Sequence, residues 1–140
     1  MTTDNSRPED NSSVITPQDR LRAAMLTSAL SDWVPLIEVN QDITRENLAD
    51  TPSEQQQLAL RTIRSLLEDG LMGIGDLPGA GEQLPDWGLS IDAAMQRVHD
   101  RYVGHNDDPV AWEFTVWLGL TDKGKQLAET ITQEPQTNRS

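Results

Sequence analysis

The sequence contains no cysteine among its 140 residues. Disulfide cross-links, thiolate metal sites and a cysteine nucleophile are therefore excluded. No apolar run approaches the ~20 residues that a membrane-spanning helix needs. The first thirty residues also lack the basic segment and apolar core of a secretion signal. These absences predict a cytoplasmic protein with no membrane partner.

Basic residues are scarce. Eleven Lys and Arg residues stand against 23 Asp and Glu residues, which gives a net charge of -12. Such a charge repels phosphate backbones in general. Hydrophobic residues make up only 36% of the chain, below the usual share for a globular protein, so part of the chain is expected to be an unfolded tail. The remainder fits one domain.

Both ends of the sequence are polar and are expected to stay outside that domain. We predict a disordered arm over residues 1–15, a folded domain over 16–132 and a disordered tail over 133–140. Neither end has enough apolar surface to offset the entropy of ordering it. Pro135 is expected to end any helix that reaches the tail.

Capping residues followed by apolar side chains at helical spacing predict five helices. The strongest signal is a capping box, in which Thr51 precedes Pro52 and Glu54 follows three residues after Thr51. The helices are predicted to begin after Thr16, near Asp32, after Thr51, after Ser90 and after Thr121. A strand over Val34 to Val39 is the alternative to the second helix.

Two segments have the character of strands. Leu71 to Leu77 is short, apolar and interrupted by glycine. Val110 to Leu120 alternates at roughly period two, which would put Trp112, Phe114 and Val116 on one side. On such a strand Trp112 and Trp117 would lie on opposite faces. One of them would then point away from the core unless the helix between the two strands covered it.

Two strings stand out, LALRTIRSLLEDGLMGIGDL over residues 58–77 and WLGLTDKGKQLAETI over residues 117–131. Both resemble parts of bacterial winged-helix regulators of the MarR and PadR type. There the recognition helix ends in Leu-x-x-x-Gly-Leu before the first wing strand, as in Leu66, Gly70 and Leu71 here. The second wing strand runs into Leu-Thr-x-x-Gly-x-x-Leu, which corresponds to Leu120, Thr121, Gly124 and Leu127. The resemblance covers roughly Asp19 to Ile131.

This resemblance implies a mainly helical α+β fold, with a winged-helix-like three-helix core, a two-stranded β-wing and a C-terminal helix. The chain departs from the family in the wing, which is much longer than usual. A helix over Ser90 to Val103 is inserted between the wing strands.

The charge of the surface that such a fold would press against DNA is unfavourable. The resemblance implies contact through Thr51 to Glu68 and through the wing. The helix offers Arg61 and Arg64 against Glu54 and Glu68. The following segment, 68–122, has eleven acidic and two basic residues and so carries -9 of the total charge. Arg61 and Arg64 are therefore candidates for ion pairs on a solvated helix face, for anchoring a protein partner or for contacting DNA.

No pattern predicts a catalytic, cofactor or metal site. His99 and His105 lie near Asp107 and Asp108, and a divalent-metal site is conceivable there. Their spacing matches no zinc signature, and surface histidines with turn-forming aspartates are the simpler interpretation. The glycine-rich stretch GIGDLPGAG lacks the lysine of a phosphate-binding loop. We therefore predict that the protein is not an enzyme.

The predicted function is that of an acidic protein-interaction module, of the kind an antitoxin or immunity protein represents, which binds a basic protein partner. The candidate interface anchors are Trp112, Trp117, Asp107 and Asp108, since tryptophan is enriched at interfaces. Core packing is the simpler role for both tryptophans. A homodimer is also possible.

Two other functions remain open. A DNA-binding regulator would need Arg20, Arg22, Arg61 and Arg64 on one face. A small-molecule or metal binder would use the space beneath the inserted helix.

Overall fold

The computed structural model describes residues 16–76, 86–105 and 107–139, so the predicted N-terminal arm lies outside the described residues. The elements in chain order are α1 (Pro17–Ala29), β1 (Val34–Pro35), α2 (Leu36–Arg45), α3 (Pro52–Glu68), β2 (Met72–Gly75), α4 (Ile91–Tyr102), α5 (Pro109–Trp112), β3 (Trp117–Leu120) and α6 (Asp122–Arg139). The fold is mainly helical α+β, as predicted.

The helix starts follow the capping residues. Thr51 accepts a hydrogen bond from the Glu54 amide, and the Glu54 side chain accepts one from the Thr51 amide, which completes the predicted capping box. Thr16 caps α1 and Ser90 caps α4 through the same kind of bond. The three capping predictions are confirmed. Each cap stabilises its helix because it bonds an amide that the first helical turn leaves without an intrahelical partner.

The sheet has three antiparallel strands in the order β1-β3-β2, one more than the predicted pair. Val34 pairs with Leu118, and Met72 pairs with Leu120. Both interpretations of the segment after Asp32 are partly right, since a two-residue strand leads directly into α2. Pro35 ends the strand because it has no amide to donate, and it then occupies the N-cap of α2.

The predicted strand over Val110 to Leu120 is wrong for its first half. Residues 109–112 form a helical turn, and only Trp117 to Leu120 are extended. Trp112 and Val116 are buried whereas Phe114 is exposed, so the three do not share a face. Pro109 suits the start of a helical turn, and the turn lets Trp112 pack against Tyr102, with ring centroids 4.9 Å apart.

The core lies between the helices and one side of the sheet. Helix α1 packs against α3 and α6, and α4 packs against α3. The inserted helix is part of the core, because its Met95, Val98 and Tyr102 are buried. Other members of the same cluster are Leu21, Met25, Val39, Ile43, Leu58, Ile63, Leu66 and Leu118.

The two strings that carry the family resemblance contact each other where α3 ends and α6 begins. The Thr121 amide donates to the Leu71 carbonyl at 3.0 Å, and the Thr121 hydroxyl donates to the Gly70 carbonyl at 2.6 Å. The same hydroxyl oxygen accepts from the Gly124 amide at 3.0 Å. A Cβ atom at position 124 would lie 1.8 Å from the Leu71 oxygen. Only glycine fits this close approach.

Helix α6 is longer than expected. It extends to Arg139, whereas a tail was predicted from residue 133. Pro135 lies within this range, where it has no amide to donate.

Candidate functional site

Arg64, one of the two arginines singled out on the third helix, is engaged by carboxylates. Its Nε donates to Glu68 Oε2 at 3.0 Å, and its Nη2 donates to Asp92 Oδ1 of the inserted helix α4. The hydrogen bond to Asp92 is the main cause that raises the pKa of Arg64. Its positive charge is therefore matched within the domain by two acidic side chains.

Arg22 of α1 is engaged in the same way. Its Nη1 donates to Asp69 Oδ2 and to Ser65 Oγ, both at 2.9 Å. Arg20 and Arg61 are exposed. Two of the four arginines that a DNA-binding surface would need are therefore paired with carboxylates of the same chain.

A shallow groove of about 470 Å³ lies between α3 and α4. Leu60 and Met95 line its apolar part, and Arg61 and His99 lie on its polar side. Helix α4 thus occupies space beside the helix that the resemblance identifies as the DNA-reading one.

Trp112 belongs to the core. Its side chain is 5% exposed and packs on Tyr102, whose hydroxyl donates to Asn40 Oδ1 at 2.5 Å. Burial of the Tyr102 side chain raises the pKa of its hydroxyl group. Trp112 therefore has little surface to offer a partner, and its role is to hold α5 against α4.

Trp117 lies beside an exposed aromatic side chain that the sequence pattern had placed on the same side as Trp112 and Val116. Phe114 is 56% exposed, and its ring centroid lies 6.0 Å from that of the half-buried Trp117. Val110, four residues before Phe114, is 85% exposed. We call Val110, Phe114 and Trp117 the Phe114 surface. The period-two pattern did not predict this surface, because residues 109–112 form a helical turn and residues 113–115 form a turn instead of a strand.

The backbone beneath Phe114 is held in place. Each carbonyl from Glu113 to Val116 accepts a hydrogen bond. The donors, in that order, are the Ile37 amide at 3.2 Å, the Trp117 indole at 2.7 Å, the Arg101 guanidinium at 2.7 Å and the Leu36 amide at 3.0 Å. The exposure of Phe114 is thus a property of a fixed segment.

Acidic residues lie close to the Phe114 surface in the sequence. Asp107 and Asp108 are exposed and directly precede α5, and Glu113 adjoins Phe114. No Lys or Arg occurs from Tyr102 to Asp122. This segment therefore combines exposed apolar side chains with several acidic ones and has no basic residue of its own. The one guanidinium bonded to it is that of Arg101, on the Thr115 carbonyl.

The two histidines do not form a metal centre with the predicted neighbours. The Nδ1 atom of His105 lies 3.0 Å from the Asp100 carbonyl oxygen, and His99 is exposed on α4. Among the described residues, no group of three His, Asp or Glu side chains is arranged to hold a metal ion. The described part of the chain also contains no helix with the length and apolar character to cross a bilayer.

Comparison with protein-family models, with curated proteins and with solved structures found no match. Function therefore has to be inferred from the residues and their geometry.

Proposed function

We propose that this protein is a non-enzymatic interaction module built on a divergent winged helix, and that its Phe114 surface binds a basic protein partner. The observation that carries the proposal is the exposed Phe114 side chain on a hydrogen-bonded backbone, in a segment that has acidic residues and no basic ones.

The energetics favour such a contact. Fully burying a Val or Phe side chain contributes roughly 1.5–3 kcal/mol, and aromatic residues are enriched among the side chains that dominate binding. Because the backbone of Glu113 to Val116 is already fixed, little conformational entropy remains to be lost on association.

The charges favour a basic partner over an acidic or neutral one. Asp107, Asp108 and Glu113 give this segment a negative potential, and complementary charge speeds encounter and selects among partners. The same carboxylates repel nucleic acid and anionic membranes.

The proposed winged-helix build is supported by the order of the elements and by the contact between the two family-like strings at Thr121 and Leu71. Its use on DNA is disfavoured. Arg22 and Arg64 are paired with carboxylates, and α4 packs on α3. Two exposed arginines cannot supply the several phosphate contacts on which affinity for DNA rests.

Immobilised full-length protein tests the proposal by capture from a cell lysate, with wild type compared against Phe114→Ala and Leu127→Ala. Leu127 is a matched control because it is an exposed apolar residue on another element, α6. We expect a basic protein that wild type and Leu127→Ala retain and Phe114→Ala loses. A set of retained proteins that is the same for all three forms contradicts the proposal.

A gel-shift measurement with duplex DNA at ~50 mM salt, where phosphate contacts are strong, tests the competing function. We expect no retention. A shift that disappears in Arg61→Ala would overturn the proposal in favour of DNA binding through α3.

A further inference from the structure

We infer that the partner presents an arginine to the Phe114 surface, where its guanidinium stacks on the exposed ring and pairs with a neighbouring carboxylate. This inference rests on the proposed function, and it specifies the side chain that the surface recognises.

The exposed pair of Phe114 and Trp117 has a shape that suits a planar cation. Phe114 is 56% exposed and its ring lies at 36° to the Trp117 ring, so much of its surface is accessible to a partner. A planar guanidinium stacks on an aromatic face and still has N–H groups free to bond a carboxylate in the same plane. A lysine ammonium is a strongly hydrated point charge without this geometry.

The chain stacks guanidinium groups on an aromatic ring elsewhere. The guanidinium carbons of Arg97 and Arg101 lie 4.7 and 5.3 Å from the centre of the Trp87 ring, and the Trp87 indole donates to Asp76 Oδ1 at 2.8 Å. In that cluster the guanidinium groups lie over the ring, and the carboxylate accepts from the indole. Phe114 offers an exposed ring, and Asp107, Asp108 and Glu113 precede it closely in the chain, but no described arginine stacks on this ring.

Charge disfavours the other occupants. A second copy of this chain docked through the same surface would bring the same carboxylates against each other, at a net charge of -12 per chain. Nucleic acid and anionic lipid are repelled for the same reason. An arginine-bearing protein segment satisfies both the aromatic and the acidic parts of the surface.

The test uses three acetylated and amidated pentapeptides in which leucines flank a central arginine, lysine or citrulline. Citrulline keeps the planar shape and removes the charge. Binding to the ¹⁵N-labelled full chain is followed through the Trp117 indole and the amides of residues 110–117. We expect the arginine peptide to bind at least about threefold more tightly than the lysine peptide and the citrulline peptide to bind most weakly.

Two variants separate the aromatic from the acidic contribution. Phe114→Leu keeps an apolar side chain without a ring, and should bring the arginine-to-lysine ratio close to one. Asp107→Asn with Asp108→Asn should weaken both cationic peptides. Asp50→Asn with Glu129→Gln removes the same charge from exposed positions elsewhere and should have little effect. Unchanged thermal melting shows that each variant is folded.

The failures of the two proposals are distinguishable. Equal affinity for the arginine and lysine peptides, or no binding of either at millimolar concentration, overturns the arginine inference. The proposed function is judged separately by whether capture of a basic protein depends on Phe114.

Discussion

Asp42 is the most deeply buried carboxylate that the structure describes. Its side chain is on α2 and the residue is 1% exposed. One carboxylate oxygen accepts from Arg45, and the other has no hydrogen-bond partner among the described residues. Burial raises the pKa of Asp42 and outweighs the lowering effect of Arg45.

Replacing Asp42 by Asn is expected to stabilise the protein at neutral pH. Since folding raises the pKa, this group favours folding fully below its unfolded pKa of about 3.9, and that contribution is lost as the pH rises through the folded pKa. At pH 7 we expect Asp42→Asn to raise the free energy of unfolding by roughly 1 kcal/mol. In urea titrations the gain should shrink towards pH 4. A pH-independent loss of stability would contradict this account.

Truncation of the neighbouring aromatic residues Trp112 and Phe114 should change the stability by very different amounts. Trp112→Ala removes a buried ring and should cost about 3–5 kcal/mol of unfolding free energy. Phe114→Ala removes an exposed ring and should stay within about 0.5 kcal/mol. Urea unfolding of both variants measures the difference. Comparable losses would show that Phe114 is a packing residue and would weaken its assignment to an interface.

At the scale of the elements, the junction between α3 and α6 depends on Gly124. Gly124→Ala places a methyl group where the Leu71 carbonyl already lies, so the helix must shift and the Thr121 bonds must weaken. We expect a loss of at least about 2 kcal/mol. Lys125→Ala, at the next and exposed position, is the control and should be nearly neutral. Thermal melting of both variants checks the expectation, and equal melting temperatures would contradict it.

The elements differ in how far the sequence predicts them. The starts of α1, α3 and α4 were predictable because capping residues and helical spacing act within a few positions. The segment after His105 was not, because alternation suits both a strand and a series of turns. Its conformation depends on distant partners, namely Tyr102 behind Trp112 and the Leu36 and Ile37 amides beneath residues 113–116.

The same distinction applies to the candidate site. The exposed Asp107 and Asp108 were predictable from composition, because consecutive acids before a proline are seldom buried. Exposure of Phe114 was not, since it follows from a turn that long-range hydrogen bonds stabilise. The pairing of Arg64 with Asp92 likewise required knowing that α4 packs on α3.

At the scale of the whole molecule, a net charge of -12 opposes compaction. Added salt screens repulsion between carboxylates, since the screening length falls from about 30 Å at 0.01 M to about 3 Å at 1 M. We therefore expect the melting temperature to rise by several degrees as sodium chloride increases from about 0.01 to 0.5 M. The ion pairs of Arg22 and Arg64 are too few to reverse this trend. A falling melting temperature would show that attractive pairs dominate.

The close approach of Gly124 to Leu71 also determines how the domain opens. The amide of Thr121 bonds the Leu71 carbonyl, and the amide of Leu71 bonds the Leu66 carbonyl. Leu71 thus links the start of the last helix to the end of the third, and we expect these two local structures to open together. Deuterium should enter these two amides in a single cooperative event, at matching rates. Residues fifty positions apart in the chain would then belong to one unit of exchange.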